Sequence, residues 1–190
     1  MSTLSCNNPS DHEATTPAPR DSVRRSFADD LQFLRKYDSV VVLESGTSRA
    51  IVSPKYQGKV FTSTNAGDKG PSFGWIHYKA FDGPADPHMN AYGGENRLWL
   101  GPEGGPYSLF FPPGAKMEFA NWKTPAAFDT EAWDITDHST RTVSLRKNMQ
   151  LTNYAGTQLK LAVTRSVTLS RTAAPSTASS ACPSTPPSIS

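Results

Sequence analysis

From residue 39 onward the chain never holds a helical apolar period. It runs through short β-branched and aromatic stretches, each soon broken by Gly, Pro, Asn or Asp. Nine of the 16 prolines and all 13 glycines lie between residues 39 and 170 and supply many of the breaks. Pro removes a backbone donor and Gly costs chain entropy, so neither suits a long helix. The strand-like runs cover residues 40–44, 49–53, 59–64, 72–79, 97–100, 107–111, 130–136, 139–147, 149–152 and 158–170. Residues 45–48 read as the turn of a first hairpin, and Asn153-Tyr154-Ala155-Gly156 as the turn before the last strand. Many short strands with Gly/Pro turns indicate an all-β fold, an antiparallel β-sandwich. Strands do not alternate with helices, so a doubly wound or α/β-barrel fold is not expected. No internal repeat recurs at a fixed period.

One helix precedes the strands. Over residues 22–37, Val23, Phe27, Leu31 and Leu34 form a single apolar stripe, which Phe33 widens. Asp21 or Ser22 is a candidate cap, and Arg35 and Lys36 suit the C-terminal end.

The two ends have a different composition. Residues 1–20 are dominated by Ser, Thr, Asn and Pro, and residues 171–190 by Ser, Thr, Ala and Pro. Such segments bury too little apolar surface to offset chain entropy. The expected organisation is a disordered tether at 1–20, a sandwich domain at 21–170 and a low-complexity tail at 171–190. Leu4-Ser5-Cys6 matches the end of a lipoprotein signal, with Cys6 as the acylated residue. No charged or apolar region precedes it, so this reading needs a start codon upstream of Met1. The alternative is an ordinary N-terminus with an incidental cysteine. Localisation follows the same split: periplasmic or outer-surface lipoprotein if an upstream signal was lost, cytoplasmic otherwise. At the other end the periodic pattern stops at Arg171. A frameshift or truncation is the favoured expectation, and a native Ser/Thr/Pro stalk the alternative.

A formal charge of +2, from 19 basic and 17 acidic residues, argues against a general nucleic-acid binder. No stretch of 18 apolar residues occurs, so no transmembrane helix is expected. His-x-Glu-x-x-His, Cys-x-x-Cys, Gly-x-x-x-x-Gly-Lys and Gly-x-Ser-x-Gly are all absent. No metal or cofactor is therefore expected. The acidic run Asp129, Glu131, Asp134, Asp137 reads as a solvated strand face or loop. Ca²⁺ binding is the lesser alternative, because no EF-type loop is present.

Residues 87–113 carry the most chemistry. Arg97 and Trp99 would share one face of a strand bracketed by Gly93-Gly94 and Gly104-Gly105, with Glu95 and Glu103 at its ends. His88 and Asn90 precede the first turn, and Asn96 lies on the opposite face. Trp, Arg, Glu, His and Asn around glycine turns are what a carbohydrate site uses. An aromatic face packs on a sugar ring, while charged and amide groups bond its hydroxyls. The candidate substrate-binding residues are thus His88, Asn90, Glu95, Asn96, Arg97, Trp99 and Glu103. The structural alternative is a core Trp99 and an Arg97 paired with Glu95 or Glu103.

The run Gly93-Gly94-Glu95-Asn96-Arg97-Leu98-Trp99-Leu100-Gly101-Pro102-Glu103-Gly104-Gly105 carries a resemblance. So do residues 53–60, 62–64, 72–76 and 107–111, and the Trp133 strand. Together they resemble an uncharacterised bacterial family of secreted or lipid-anchored proteins with a galactose-mutarotase-like (aldose 1-epimerase-like) β-supersandwich. The resemblance implies a longer chain, of which residues 27–169 would be the N-terminal half, leaving the supersandwich incomplete. It implies no catalytic pair here, since the late Glu base of such epimerases has no counterpart. Three functions stay open: a non-catalytic carbohydrate-binding domain, a sugar epimerase by general acid–base catalysis in the full-length relative, and a nonfunctional truncation product.

Overall fold

The structure, a computed structural model, describes residues 25–170. The tether, the tail and Cys6 lie outside the described residues, as does Val23. The fold contains two antiparallel three-stranded sheets and few helices, as an all-β sandwich-like chain requires. The first sheet is β1 (Val41–Ser45), β2 (Ser48–Ser53) and β3 (Lys59–Thr64). The second is β4 (Asp134–His138), β5 (Thr142–Thr152) and β6 (Gln158–Thr168).

The first sheet is buried on both faces, which explains its lost polar alternation. One face presents Val41, Leu43, Ala50, Val52 and Val60 to Val143, Leu145, Met149 and Leu151 of β5. The other face lies under helix α1 (Phe27–Leu34) and the loop after β3, around Ile51, Phe61, Phe27, Leu34 and Ile76. β5 keeps strict alternation, with Val143, Leu145, Met149 and Leu151 inward and Arg146, Asn148, Gln150 and Thr152 in solvent. The polar Lys147-Asn148 pair does not divide it, so the two expected runs are one strand. Lys147 reaches the Ala132 carbonyl and the Glu131 carboxylate.

Helix α1 begins later than its apolar stripe suggests. Ser26 is extended, and its hydroxyl accepts from the Asp29 N–H while Asp29 accepts from the Ser26 N–H. This reciprocal capping box places the start at Phe27, with Ser26 as the cap in place of Asp21 or Ser22. Phe33 does widen the stripe: its ring meets Tyr37, Tyr78 and Phe81.

Three expected strands are loops. Residues 72–79 cross β3 closely enough that a Cβ on Gly74 would collide with the Phe61 carbonyl. The segment makes only a single bridge, Ile76 to Gly93, before a 3-10 turn at Tyr78–Phe81. Residues 97–100 and 107–111 are pinned by side-chain bonds and aromatic packing, with no ladder. Helix α2 (Ala126–Asp129) precedes β4, which starts four residues later than the pattern from 130 suggested.

Replacing Ser26 with Ala removes the hydroxyl half of the capping box. The cost is expected to be about 1 kcal/mol in urea unfolding, with an unchanged m-value.

Candidate functional site

The loop following β3 folds onto that strand's outer edge. The Glu95 N–H donates to the Val60 carbonyl at 2.9 Å, and the Asn96 side-chain oxygen accepts from the Val60 N–H at 3.1 Å. Loop and side chain together stand in for a neighbouring strand. Gly93 and Gly94 make the approach possible. Both have positive φ, and a Cβ on Gly93 would strike the Trp75 carbonyl oxygen. The Gly94 N–H donates to that same carbonyl at 2.7 Å.

Past this turn, Arg97 points back into the protein and meets Asp129. Its guanidinium donates to Asp129 Oδ1 at 2.7 Å and to the Asn90 carbonyl at 3.2 Å, and lies 4.9 Å from the Trp99 ring. Asn90 donates its side-chain amide to Asp129 Oδ2 at 2.9 Å and its backbone N–H to the same oxygen at 3.1 Å. Gln57 donates to the Asp129 carbonyl at 3.1 Å. Asp129 is only 3% exposed, so these donors replace its hydration shell. Gln57 itself holds φ +67, a left-handed conformation that disfavours a side chain, and sits between β2 and β3.

Lys59 completes the cluster. It is 1% exposed, and its ammonium donates to the Gly93 carbonyl at 2.6 Å. Burial pushes its pKa down to about 8. Arg97 and Arg165 add to the depression, and Asp129 partly opposes it. Arg165, half-buried on β6, donates to the Gln57 carbonyl at 3.4 Å, and burial lowers its pKa.

Of the sequence candidates, the structure brings Asn90 and Arg97 together on Asp129. Arg97 pairs with neither Glu95 nor Glu103. Glu95 is exposed and accepts from the Ser63 hydroxyl at 2.8 Å. Glu103 accepts from the Trp99 indole at 2.8 Å. Asn96 serves the β3 edge. His88 donates from Nδ1 to the Trp122 carbonyl at 2.6 Å, and its ring stacks on Phe119 with centroids 4.3 Å apart. Trp99 joins Phe110, Trp122 and Phe128 in an aromatic group against the core.

Sequence reasoning missed Asp129, Gln57 and Lys59. Asp129 sits in an acidic run that reads as solvated. It is buried because α2 turns it inward, away from Glu131 and Asp134, which stay in solvent. Nothing in their own spacing marks Gln57 or Lys59. Two exposed aromatic features also emerge. Trp75 is 63% exposed, with its ring stacked on His77 at 5.3 Å, and Phe119 is 71% exposed at the end of the column with Trp122 and Phe110. Among the described residues no group of three or more His, Cys, Asp or Glu side chains is placed to hold a metal ion. No described helix is long and apolar enough to cross a membrane.

Two antiparallel sheets over one core, with a loop layer braced by a buried carboxylate, define an all-β sandwich-like protein. The chain belongs to a family of unknown function (DUF6786), matched over residues 25–181. An uncharacterised family is what the resemblance implied. No curated protein and no solved structure matches the chain.

The Lys59 shift has a readable sign. The unfolded lysine titrates near 10.5 and the folded one near 8, so between these values the unfolded chain binds more protons. Stability should therefore rise with pH from about 8 until tyrosine ionisation intervenes near 10. Tyr56, raised by burial to about 12, acts in the opposite sense there. Urea titrations at pH 7.5, 8.5 and 9.5 should show the rise, and Lys59→Met should flatten it.

Proposed function

We propose that this chain is a non-catalytic carbohydrate-binding domain whose galactose-mutarotase-like kinship lies in its β-sandwich architecture. The observation that carries the reading is Trp75. A large apolar ring left 63% exposed forgoes the burial that normally stabilises an indole by a few kcal/mol. Its position is fixed from several sides. Its carbonyl is locked by Gly94, Gly93 lies close against its ring, and His77 stacks on it. Glu95, the residue after that glycine pair, presents an exposed carboxylate held by Ser63. An open aromatic face with a carboxylate on the adjoining turn suits a pyranose ring, apolar on one face and rich in hydroxyl donors at its rim.

Binding rather than turnover is the proposal. His77 and His88 each hydrogen-bond a backbone carbonyl through Nδ1, and neither bonds a carboxylate. The buried Lys59–Arg97–Asp129 cluster braces the loop that carries Trp75 and Glu95, and in this reading it does not touch the sugar.

A panel of neutral hexoses titrated into the full chain should shift its tryptophan emission saturably. Trp75→Ala should weaken calorimetric binding roughly tenfold or more, about 1.4 kcal/mol, without lowering the melting temperature. Glu95→Gln should weaken it less. A wild-type chain that responds to no sugar in the panel would remove the proposal.

A further inference from the structure

The described strands leave four sheet edges, and three of them are protected. The outer edge of β3 is covered by Glu95, Asn96 and Phe73, which bond its backbone. β1 joins the second sheet through the Glu44 N–H, which donates to the Thr140 carbonyl. β4 is short and wholly exposed, carries Asp134 and Asp137, and is interrupted by a register shift between Ile135 and Asp137. Charge, brevity and irregularity are the usual devices that keep an edge from pairing.

β6 is neither short nor irregular, and its only charged residues are Lys160 and Arg165. It is 11 residues long and pairs with β5 without a register shift. It contains no proline, glycine or acidic residue. Its inward residues Leu159, Leu161, Val163 and Val167 pack against the core yet stay half-exposed, with no further strand beside them among the described residues. The phase of the ladder is set at both ends. Asn153 donates to the Thr157 carbonyl and Leu169 to the Arg141 carbonyl, so the odd-numbered residues bond across to β5. By the antiparallel alternation, Gln158, Lys160, Ala162, Thr164, Ser166 and Thr168 aim their N–H and C=O groups outward.

We propose that β6 pairs antiparallel with β6 of a second copy of this chain, about a two-fold axis at Val163. That register sets even residues opposite even residues, so every outward donor meets an acceptor along all 11 positions. It also suits the charges. Lys160 falls opposite Ser166, and Arg165 opposite Leu161, so no cation faces another. The two Lys160 residues stand six positions apart, roughly 20 Å, beyond the screening length at physiological salt. A register centred on Lys160 would set like charges face to face. Pairing of β6 with β4 of another copy would engage only a five-residue, bulged edge and would not close. The two-fold register produces a six-stranded sheet and covers Leu159, Leu161, Val163 and Val167 of each copy.

Sedimentation equilibrium of the full chain tests this, with a single cysteine placed in a Cys6→Ser, Cys182→Ser background. The expected species has twice the 20.6 kDa chain mass. Thr164→Pro removes an outward N–H and no internal ladder bond, and should shift the population to monomer with its circular dichroism kept. Val163→Cys should form an intermolecular disulfide on mild oxidation, because residues directly opposite at a non-bonded pair are close enough to link. Ala162→Cys should link far less. A wild-type chain that stays monomeric at high concentration would overturn the proposal. So would species that grow without limit, or cross-linking at 162 in preference to 163. If Thr164→Pro fails to fold, the two cysteine variants decide the register alone.

Discussion

The Asp129 carboxylate is removed from water and surrounded by donors from three stretches of chain that share no sheet with it. Asn90 comes from the loop behind β3 and Arg97 from beyond the glycine turn, while Gln57, from the β2–β3 connection, donates to the Asp129 carbonyl and stands 3.5 Å from its carboxylate. A buried carboxylate left unpaired costs several kcal/mol, so each donor is held as firmly as it holds Asp129. The loop between β3 and α2 has only 3-10 turns of its own, so this cluster does for it what a ladder does for the strands. Lys59 adds a second tie, from β3 to the Gly93 carbonyl. The burial that makes these bonds strong also holds the lysine near neutrality at alkaline pH.

From that anchoring follow the layers of the molecule. With the loop fixed over β3, the first sheet is covered on the helix side as well as the side facing β5, and its strands become continuous apolar runs. The same fixing closes the β3 edge with a backbone–side-chain pair from Glu95 and Asn96. The second sheet receives no such cover. Its outer face is polar, one margin is guarded by charge and a bulge, and the other, β6, meets no further strand among the described residues. Trp75 and Glu95 end up in solvent because the glycine turn that seats the loop also turns them outward.

The parts of the fold legible in the sequence are those where burial is one-sided or a local bond decides. The expected strand over residues 59–64 coincides with β3, and the hairpins around Gly46 and Gly156 fall where turn residues place them. The alternation from 158 gives β6 within two residues. Runs such as 97–100 and 107–111 have strand-like composition, but no strand pairs with them: Arg97 is drawn to Asp129, 32 residues on, and Trp99 to Glu103, four residues on. Local pattern cannot register a guanidinium reaching Asp129 or an indole meeting Glu103. The candidate residues read from the sequence as one group. Asn90 and Arg97 belong to one cluster, as their neighbourhood suggested, while Glu95, Glu103 and His88 serve other contacts. Asp129 was hidden because α2 reverses its direction relative to the acidic residues beside it.

One buried carboxylate organises the loop layer independently of the sheets. Hydrogen exchange of Asp129→Asn tests it, since the isosteric amide keeps the volume but sets a donor against Arg97 or Asn90. Amides between residues 88 and 99, including Asn90 and Glu95, should lose protection, while those of β5 and β6 keep theirs. Unchanged protection around Asn90 and Glu95, or an equal loss in β5 and the loop, would contradict the account.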